Sequence, residues 1–430
     1  MLIEFSVSNF RSFREKQTLS MVAAPRLHKR ENVFKPESKG EDLPSLLKVA
    51  VIYGPNASGK SNLLKALGVL TSVCFREPSN RDVPLPLSSF RFDGELHASP
   101  SVFDIHFVRC GLRYQFSFSA TSDRIFEERL TVFPKGKESL LYERLFSAES
   151  EIYKFGELLK VHSTQDLLDV WQKLTPSKLL FIAQAVANSS DESSPLHEPF
   201  KWLKGATFSL LDGMAGMARA AQDLAQKSDL TATRIAEFLR DVDVPISTMR
   251  VETVKPKLST LRMGLMGGGL INSTQSDAAP NNLLSRARST VFTHTSALGN
   301  ADMNFDDESE GTKNLIGFWL PWVTKDPVDK SRDLLIVDEL DSSLHPKIVA
   351  ALVEKHIKSE RPSQLIFSTH DTHLMDTKLL RRDQFWITER DANGATQLRS
   401  IHDFEGRESE DIEKRYYEGR YRGLPFVKRG

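Results

Sequence analysis

Cysteine is nearly absent: Cys74 and Cys110 are the only two in 430 residues, and they lack metal-ligand spacing. A disulfide framework and a thiolate metal site are therefore excluded, and both thiols are expected to be reduced, set in apolar core stretches and without a catalytic role. Net charge is absent too, with 57 Lys and Arg against 57 Asp and Glu. That balance excludes a surface given over wholly to nucleic acid, while leaving local basic patches open. No run of about 18 apolar residues occurs, and the chain opens on the alternating Leu2-Ile3-Glu4-Phe5-Ser6-Val7 rather than on a charged leader before an apolar segment. The expectation is a cytoplasmic protein, neither secreted nor membrane-spanning. Apolar heptads never persist for roughly four repeats, which excludes a long coiled-coil arm, and no internal repeat is present.

What the chain does contain is a complete phosphate-binding loop, Gly54-Pro55-Asn56-Ala57-Ser58-Gly59-Lys60-Ser61. Gly54 and Gly59 let the backbone turn so that successive N–H groups point inward at phosphate oxygens, and a helix start adds its dipole. Lys60 supplies a point charge to the β and γ phosphates, and Ser61 offers its hydroxyl to Mg²⁺. The context is the required one: an apolar run, Val49 to Tyr53, precedes the loop, and a helical pattern opens at Asn62 with Leu63, Leu64, Leu67 and Leu70 at helical spacing. ATP and Mg²⁺ are the ligands this implies, held through Gly54 to Asn62. A length of 430 residues suits an ATPase core with one inserted or appended subdomain.

Elsewhere, a second short strand is expected around Thr18 to Val22, and a polar loop from Pro25 to Pro44. Alternation from Ser101 to Phe133, with Gly111 at a turn, predicts an antiparallel meander. From about 140 to 240 the composition is helical, with Leu179-Leu180-Phe181-Ile182 as a short buried-strand candidate. Gly264 to Asn282 reads as an exposed connector. Helix at Asn314 to Val323, strand at Asp333 to Val337, helix at His345 to Ile357 and strand at Gln364 to Ser368 then alternate, which implies an α/β fold with a largely parallel sheet. The boundaries this suggests are an N-terminal lobe at 1–139, a helical insert and connector at 140–290, and a C-terminal lobe at 291–430.

Leu334-Leu335-Ile336-Val337-Asp338-Glu339 puts two carboxylates at the C-terminal edge of a buried parallel strand, where ligands of such sheets bind. Asp338 is suited to hold Mg²⁺ and Glu339 to polarise the attacking water. Asp341 follows in Leu340-Asp341-Ser342-Ser343-Leu344-His345-Pro346, and the strand Leu365 to Ser368 ends in Thr369-His370-Asp371. In this order the motifs resemble the ABC-type ATPase head, with Asp341 matching its D-loop and His370 its switch histidine, placed to report the γ-phosphate.

That resemblance implies three further elements. A signature motif that caps the γ-phosphate bound by a partner copy is matched in position by Glu308-Ser309-Glu310-Gly311-Thr312-Lys313-Asn314. Ser309 and Gly311 keep the hydroxyl and the close backbone approach, while Glu310 and Thr312 depart from the LSGGQ wording and argue against a transporter. A glutamine linking γ-phosphate and Mg²⁺ to the neighbouring lobe is best matched by Gln184, with Gln115 as its rival. Asn9-Phe10-Arg11 resembles the opening of recombination-repair and chromosome-maintenance heads, where the basic residue lies near the nucleotide; the alternative reading of Arg11 is an exposed turn arginine.

Arg381-Arg382-Asp383-Gln384-Phe385-Trp386-Ile387-Thr388-Glu389-Arg390-Asp391, with Tyr417-Glu418-Gly419-Arg420-Tyr421 and Leu424-Pro425, resembles the bacterial overcoming-lysogenization-type and abortive-infection ATPases called the RloA or AbiL family. Membership implies an ATPase that forms a head-to-head homodimer or higher oligomer and controls a separate, nuclease-like effector encoded nearby in anti-phage defence. The roughly 60 residues after His370 are too few for a Toprim nuclease domain, so the effector is expected to be another polypeptide. Two rivals stay open: an ATPase acting directly on DNA through Arg407, Lys414, Arg415, Arg420, Arg422, Lys428 and Arg429, and a slow nucleotide-gated scaffold. Interleaved acids around Glu405 to Glu418 favour a solvated mixed-charge surface over DNA contact.

Overall fold

The computed structural model describes the chain apart from residues 78–81, 190, 206, 211–214, 255–286, 324–333, 360–362, 409 and 425–430. The connector expected at Gly264 to Asn282, Lys428, Arg429 and Pro425 lie outside the described residues. Two compact units are present, one formed by Met1–Leu211 with Asp326–Gly430 and the other by Asp212–Lys325. This division differs from the lobes read at 1–139, 140–290 and 291–430, because composition follows the chain and cannot show a unit built from two separated segments.

In the first unit the chain runs through β1 (Leu2–Ser8), β2 (Gln17–Ser20), β3 (Val33–Phe34), β4 (Leu46–Leu47) and β5 (Val49–Tyr53) into α1 (Lys60–Cys74) and α2 (Gly94–Ala98). The strands β6 (Ser101–Arg109), β7 (Leu112–Ala120), β8 (Ile125–Phe133), β9 (Ser139–Ser147) and β10 (Ser150–Phe155) follow. Next come α3 (Glu157–His162), α4 (Gln165–Leu174), α5 (Phe181–Ala187), α6 (His197–Gly205) and β11 (Thr207–Leu210). The second unit holds α7 (Ala215–Lys227), α8 (Asp229–Asp241), β12 (Ile246–Val254), β13 (Ala287–Ser296), β14 (Gly299–Asn304) and α9 (Glu310–Val323). The chain then returns to the first unit as β15 (Leu334–Val337), α10 (Pro346–Ile357), β16 (Gln364–Ser368), β17 (Phe385–Arg390), β18 (Thr396–Ser400) and α11 (Ile412–Tyr417).

The expected meander is a seven-stranded sheet in the order β10-β9-β8-β7-β6-β1-β2, and its pairs are antiparallel. It extends beyond Phe133 to Phe155, into the stretch expected to be helical. The β6–β7 hairpin turns on Cys110 (φ 51°) and Gly111 (φ 78°), two successive left-handed residues of the kind that match strand twist in a two-residue loop. Cys110 is exposed there, against the expectation of a core thiol, because the turn lifts it off the apolar face. Cys74 is buried at the end of α1, and burial pushes its thiol pKa up, so it is inert.

The second sheet of this unit has the order β11-β15-β16-β5-β17-β18. The β11, β15, β16, β5 and β17 strands run parallel, and β18 closes the edge antiparallel to β17. β5, β15 and β16 are buried along their whole length, as the apolar sequences of β5, β15 and Leu365 to Phe367 require, and the polar ends of β16, Gln364 and Ser368, are buried with hydrogen-bonded side chains. One apolar core joins the inner face of the meander (Phe5, Phe103, Phe116) to Leu63, Leu64 and Leu67 of α1 and to Ile52, Ile336 and Ile366 of the parallel sheet.

Leu179 to Ile182 is not a strand. Phe181 opens helix α5, and the reason is local: the buried Glu128 carboxylate accepts the Phe181 and Ile182 N–H groups at 2.7 and 3.2 Å, as an anion stabilises a helix start. Tyr142 OH donates to the same carboxylate at 2.5 Å, and buried Arg144 lies 3.7 Å away while pairing with Glu151 at 2.9 Å.

In the second unit β12, β13 and β14 form an antiparallel sheet, and α9 packs with α7 and α8. Ser228 caps α8 by accepting from Thr231 N–H.

Candidate functional site

The phosphate loop occupies the turn from β5 into α1. Gly54 (φ 148°) and Gly59 (φ 110°) take conformations that side chains oppose, and Ala57 (φ 61°) is left-handed between them. Space is denied as well. A Cβ on Gly54 would fall 2.4 Å from the Thr388 carbonyl and hydroxyl, and one on Gly59 would fall 2.1 Å from Thr396 Oγ1. Lys60 is the first residue of α1 and folds back over the loop, donating to the carbonyls of Gly54 at 2.8 Å and Pro55 at 3.2 Å. Burial lowers its pKa, opposed by the carboxylates of Asp338, Glu339 and Asp341.

The loop is braced from the C-terminal hairpin, through residues whose role spacing does not reveal. Thr388 on β17 donates to the Tyr53 carbonyl at 3.1 Å and is hydrogen-bonded to Ser58 Oγ at 2.6 Å. Thr396 on β18 lies 2.8 Å from both the Ser58 carbonyl and Ser12 Oγ, and Asn62 donates to the same Ser12 oxygen at 2.8 Å. The turn containing Arg11 is thus joined to the start of α1 through Ser12. Asn9 and Arg11 both have positive φ, and Asn9 holds the end of α2 and the residues after it by donating from its amide nitrogen to the Leu96, Ser99 and Pro100 carbonyls. Arg11 itself is exposed, and no hydrogen bond ties its side chain to the phosphate loop.

Parallel pairing puts the ends of β5, β16 and β15 at one edge of the sheet. Ser368, the last residue of β16, donates to Asp338 Oδ1 at 2.5 Å and accepts from Glu339 N–H at 2.8 Å. Glu339 has φ 50° and is exposed, so the turn aims it away from the strand axis. Asp341 accepts from the His370 backbone N–H at 3.3 Å, which joins the D-loop position to the switch position. His370 is exposed at the tip of its strand.

Gln184 lies in the first turns of α5, buried, with Oε1 lacking any partner among the described residues. Its rival Gln115 is engaged within the meander, donating to Asp104 at 3.0 Å. Among the described residues no group of three His, Cys, Asp or Glu could hold a metal alone. By chemistry alone, the donors named for Mg²⁺ (the Ser61 hydroxyl, the Asp338 carboxylate and the Gln184 carbonyl oxygen) are of the oxygen type that a hard cation takes, and the buried Gln184 Oε1 is left without a partner among the described residues.

In the second unit Ser309 stands immediately before α9 and caps it, accepting from Thr312 N–H at 3.1 Å. The preceding Glu308 is buried and bonded to His294 of β13 at 2.6 Å, which ties this helix start to the three-stranded sheet. Ser309 is exposed and Gly311 half-buried.

The C-terminal motif has a structural part to play. Arg381 pairs with Asp383 at 2.7 Å, Gln384 bonds the Val49 carbonyl at 3.0 Å, and buried Arg382 reaches Glu410 and the Phe404 carbonyl.

A phosphate loop after a central parallel strand, with acids and a histidine at the same sheet edge, defines an α/β P-loop ATPase. The family described as "AAA domain, putative AbiEii toxin, Type IV TA system" matches residues 49–376, and the chain belongs to it. No curated protein matches the chain. Among solved structures it is similar to an Smc head bound to the C-winged-helix domain of ScpA, at 13% identity and TM-score 0.43, covering 97% of this chain and 99% of that one. An SMC head domain from Thermotoga maritima gives 12% and 0.38, covering 93% and 98%. An Smc head with an extended coiled coil, bound to the C-terminal domain of ScpA from Pyrococcus furiosus, gives 13% and 0.40, covering 97% and 98%. Among the described residues no helix is long and apolar enough to cross a membrane.

Proposed function

We propose that this ATPase works by ATP-driven engagement of two copies, each nucleotide lying between Gly54 to Ser61 of one chain and Ser309 to Gly311 of the other. The observation that carries the hydrolytic half of the reading is the shared sheet edge at which Ser368 binds both Asp338 and the Glu339 amide. Lys60 neutralises β- and γ-phosphate oxygens on ATP entry, exchanging its contacts with the Gly54 and Pro55 carbonyls for the ligand. Asp338, Ser61 and Gln184 would hold Mg²⁺, which when bound draws charge from the phosphate oxygens. Glu339 accepts a proton from the attacking water as the oxygen forms its bond to the γ-phosphorus and the bond to the β-phosphate oxygen breaks. His370 contacts the γ-phosphate, Asp341 holds the turn that carries it, and Arg11, on the turn joined to the start of α1 through Ser12, is assigned to the nucleotide's surroundings.

Because ATP touches both chains only in the engaged state, its differential affinity shifts the dimer equilibrium, and hydrolysis removes that bias. The exposed Ser309 at a helix start supports its assignment to the capping surface. The output we propose is control of a separate, nuclease-like effector in bacterial anti-phage defence, in a cytoplasmic RloA- or AbiL-like system. The toxin–antitoxin wording of the family description supports a two-component arrangement. Direct DNA action is the weaker reading, since Arg415, Arg420 and Arg422 pair with Glu410, Glu418 and Glu389. Measured ATP turnover, with and without the neighbouring gene product, tests the proposal; an ATPase indifferent to that product in rate and in co-purification contradicts the effector reading.

A further inference from the structure

The turn after the switch histidine is gripped from two sides. On the inner side Tyr53, the last residue of β5 and the neighbour of Gly54, donates from its buried hydroxyl to the Asp371 carbonyl at 3.0 Å. Asp371 then caps the short turn Thr372–Leu374 by accepting from His373 N–H at 3.0 Å. On the outer side Thr372 Oγ1 donates to Glu413 Oε1 at 2.7 Å and stands 3.0 Å from Tyr417 OH, which can donate to it. Both partners lie on α11. That helix is fixed in turn: Tyr416 packs its ring 6.3 Å from the Tyr53 ring and donates to the Gly423 carbonyl at 2.9 Å.

A continuous path of contacts therefore runs from the end of the phosphate-loop strand, through the switch turn, to Tyr417, which is 62% exposed. Nothing in the chemistry proposed above uses Thr372, Glu413 or Tyr417. A polar clamp between a surface helix and the residue two positions after a γ-phosphate contact serves one end well: it fixes where His370 stands when ATP is bound.

We propose that Thr372, Glu413 and Tyr417 are positioning residues for hydrolysis, acting through His370. This rests on the reading of His370 as the γ-phosphate contact. Loss of the clamp leaves the phosphate loop, and so ATP binding, intact, while the switch turn samples positions unfit for turnover. The effect falls on kcat.

The test uses the full chain and four variants: Thr372→Val, Thr372→Ser, Tyr417→Phe and His370→Ala. Steady-state turnover with ATP and Mg²⁺ gives kcat and KM, and a fluorescent ATP analogue gives the affinity. Thr372→Val is expected to lower kcat by roughly fivefold or more, as the loss of its hydrogen bonds implies, with analogue affinity within about twofold of wild type. Thr372→Ser, which keeps the hydroxyl, should restore kcat. Tyr417→Phe, at a surface site where folding is not at risk, should reproduce part of the kcat loss. A wild-type kcat in both Thr372→Val and Tyr417→Phe, with kcat lost in His370→Ala, overturns the clamp and leaves the switch reading standing. Wild-type kcat in His370→Ala overturns the reading on which the clamp rests. A Thr372→Ser variant as slow as Thr372→Val, or an affinity loss that matches the kcat loss, would also overturn the positioning role.

Discussion

The Ser368 hydroxyl binds Asp338 and the Glu339 backbone at once, donating a hydrogen bond to the Asp338 carboxylate and accepting one from the Glu339 N–H. The carboxylate proposed to hold the metal and the residue proposed as base are therefore locked to the end of β16, two residues before His370. Ser368→Ala removes both bonds in a fully buried setting. We expect turnover to fall by roughly tenfold or more, from bonds of which one is charge-assisted, with ATP affinity much less affected; equal turnover in the variant would separate Ser368 from the chemistry.

Lys60→Ala is expected to lower ATP affinity by at least roughly tenfold, the scale of a lost charge-assisted bond. The fold should survive. Burial lowers the Lys60 pKa, so the protonated amine costs stability at neutral pH, while its hydrogen bonds to the Gly54 and Pro55 carbonyls offset that cost, and its removal should change the melting midpoint little. Unchanged ATP affinity, read by isothermal calorimetry, would remove Lys60 from the phosphate site.

At Gly59 an added methyl meets Thr396 Oγ1 at 2.1 Å and a φ of 110°. Gly59→Ala should therefore abolish measurable ATP binding while the circular-dichroism spectrum stays close to wild type. Retained binding would show that the loop does not need its brace on β18.

Ser309→Arg places a long cation where the proposal needs a hydroxyl and a close approach. ATP binding by single copies should persist, because the phosphate loop of the same chain is untouched, while ATP-dependent dimer and turnover are lost. Wild-type turnover would refute the assignment of Ser309 to the capping surface.

Removing the carboxylate in Glu128→Ala would leave Arg144 buried without one of its two acidic partners and strip the cap from α5. The cost should be about 3–5 kcal/mol by chemical denaturation, and a loss below about 1 kcal/mol would show that the buried pair does not hold this helix.

Much of this site was legible because its residues are consecutive. Glycines and a lysine at fixed offsets, or four apolar residues ending in two acids, announce their backbone geometry directly, and β5, β15 and β16 formed where those patterns lie. Long-range partners left no such trace. Ser12, Thr388, Thr396 and Ser368 brace the loops from distant segments, and a lone Ser or Thr in a turn or strand has no periodicity to mark it. Leu179 to Ile182 has an apolar run that suits a strand or a buried helix equally, and the deciding partner, Glu128, lies some fifty residues away. The two-segment first unit is invisible to composition for the same reason.

Engagement followed by hydrolysis is tested most directly with Glu339→Gln, which keeps size and hydrogen-bonding shape but removes the carboxylate. The measurement is ATP turnover together with size-exclusion chromatography in ATP and Mg²⁺. Turnover should fall by roughly 10² or more, ATP should still bind, and a larger or longer-lived assembly than that of the wild type should accumulate. Retained turnover would contradict the role of Glu339, and lost turnover without any ATP-dependent assembly would contradict engagement itself.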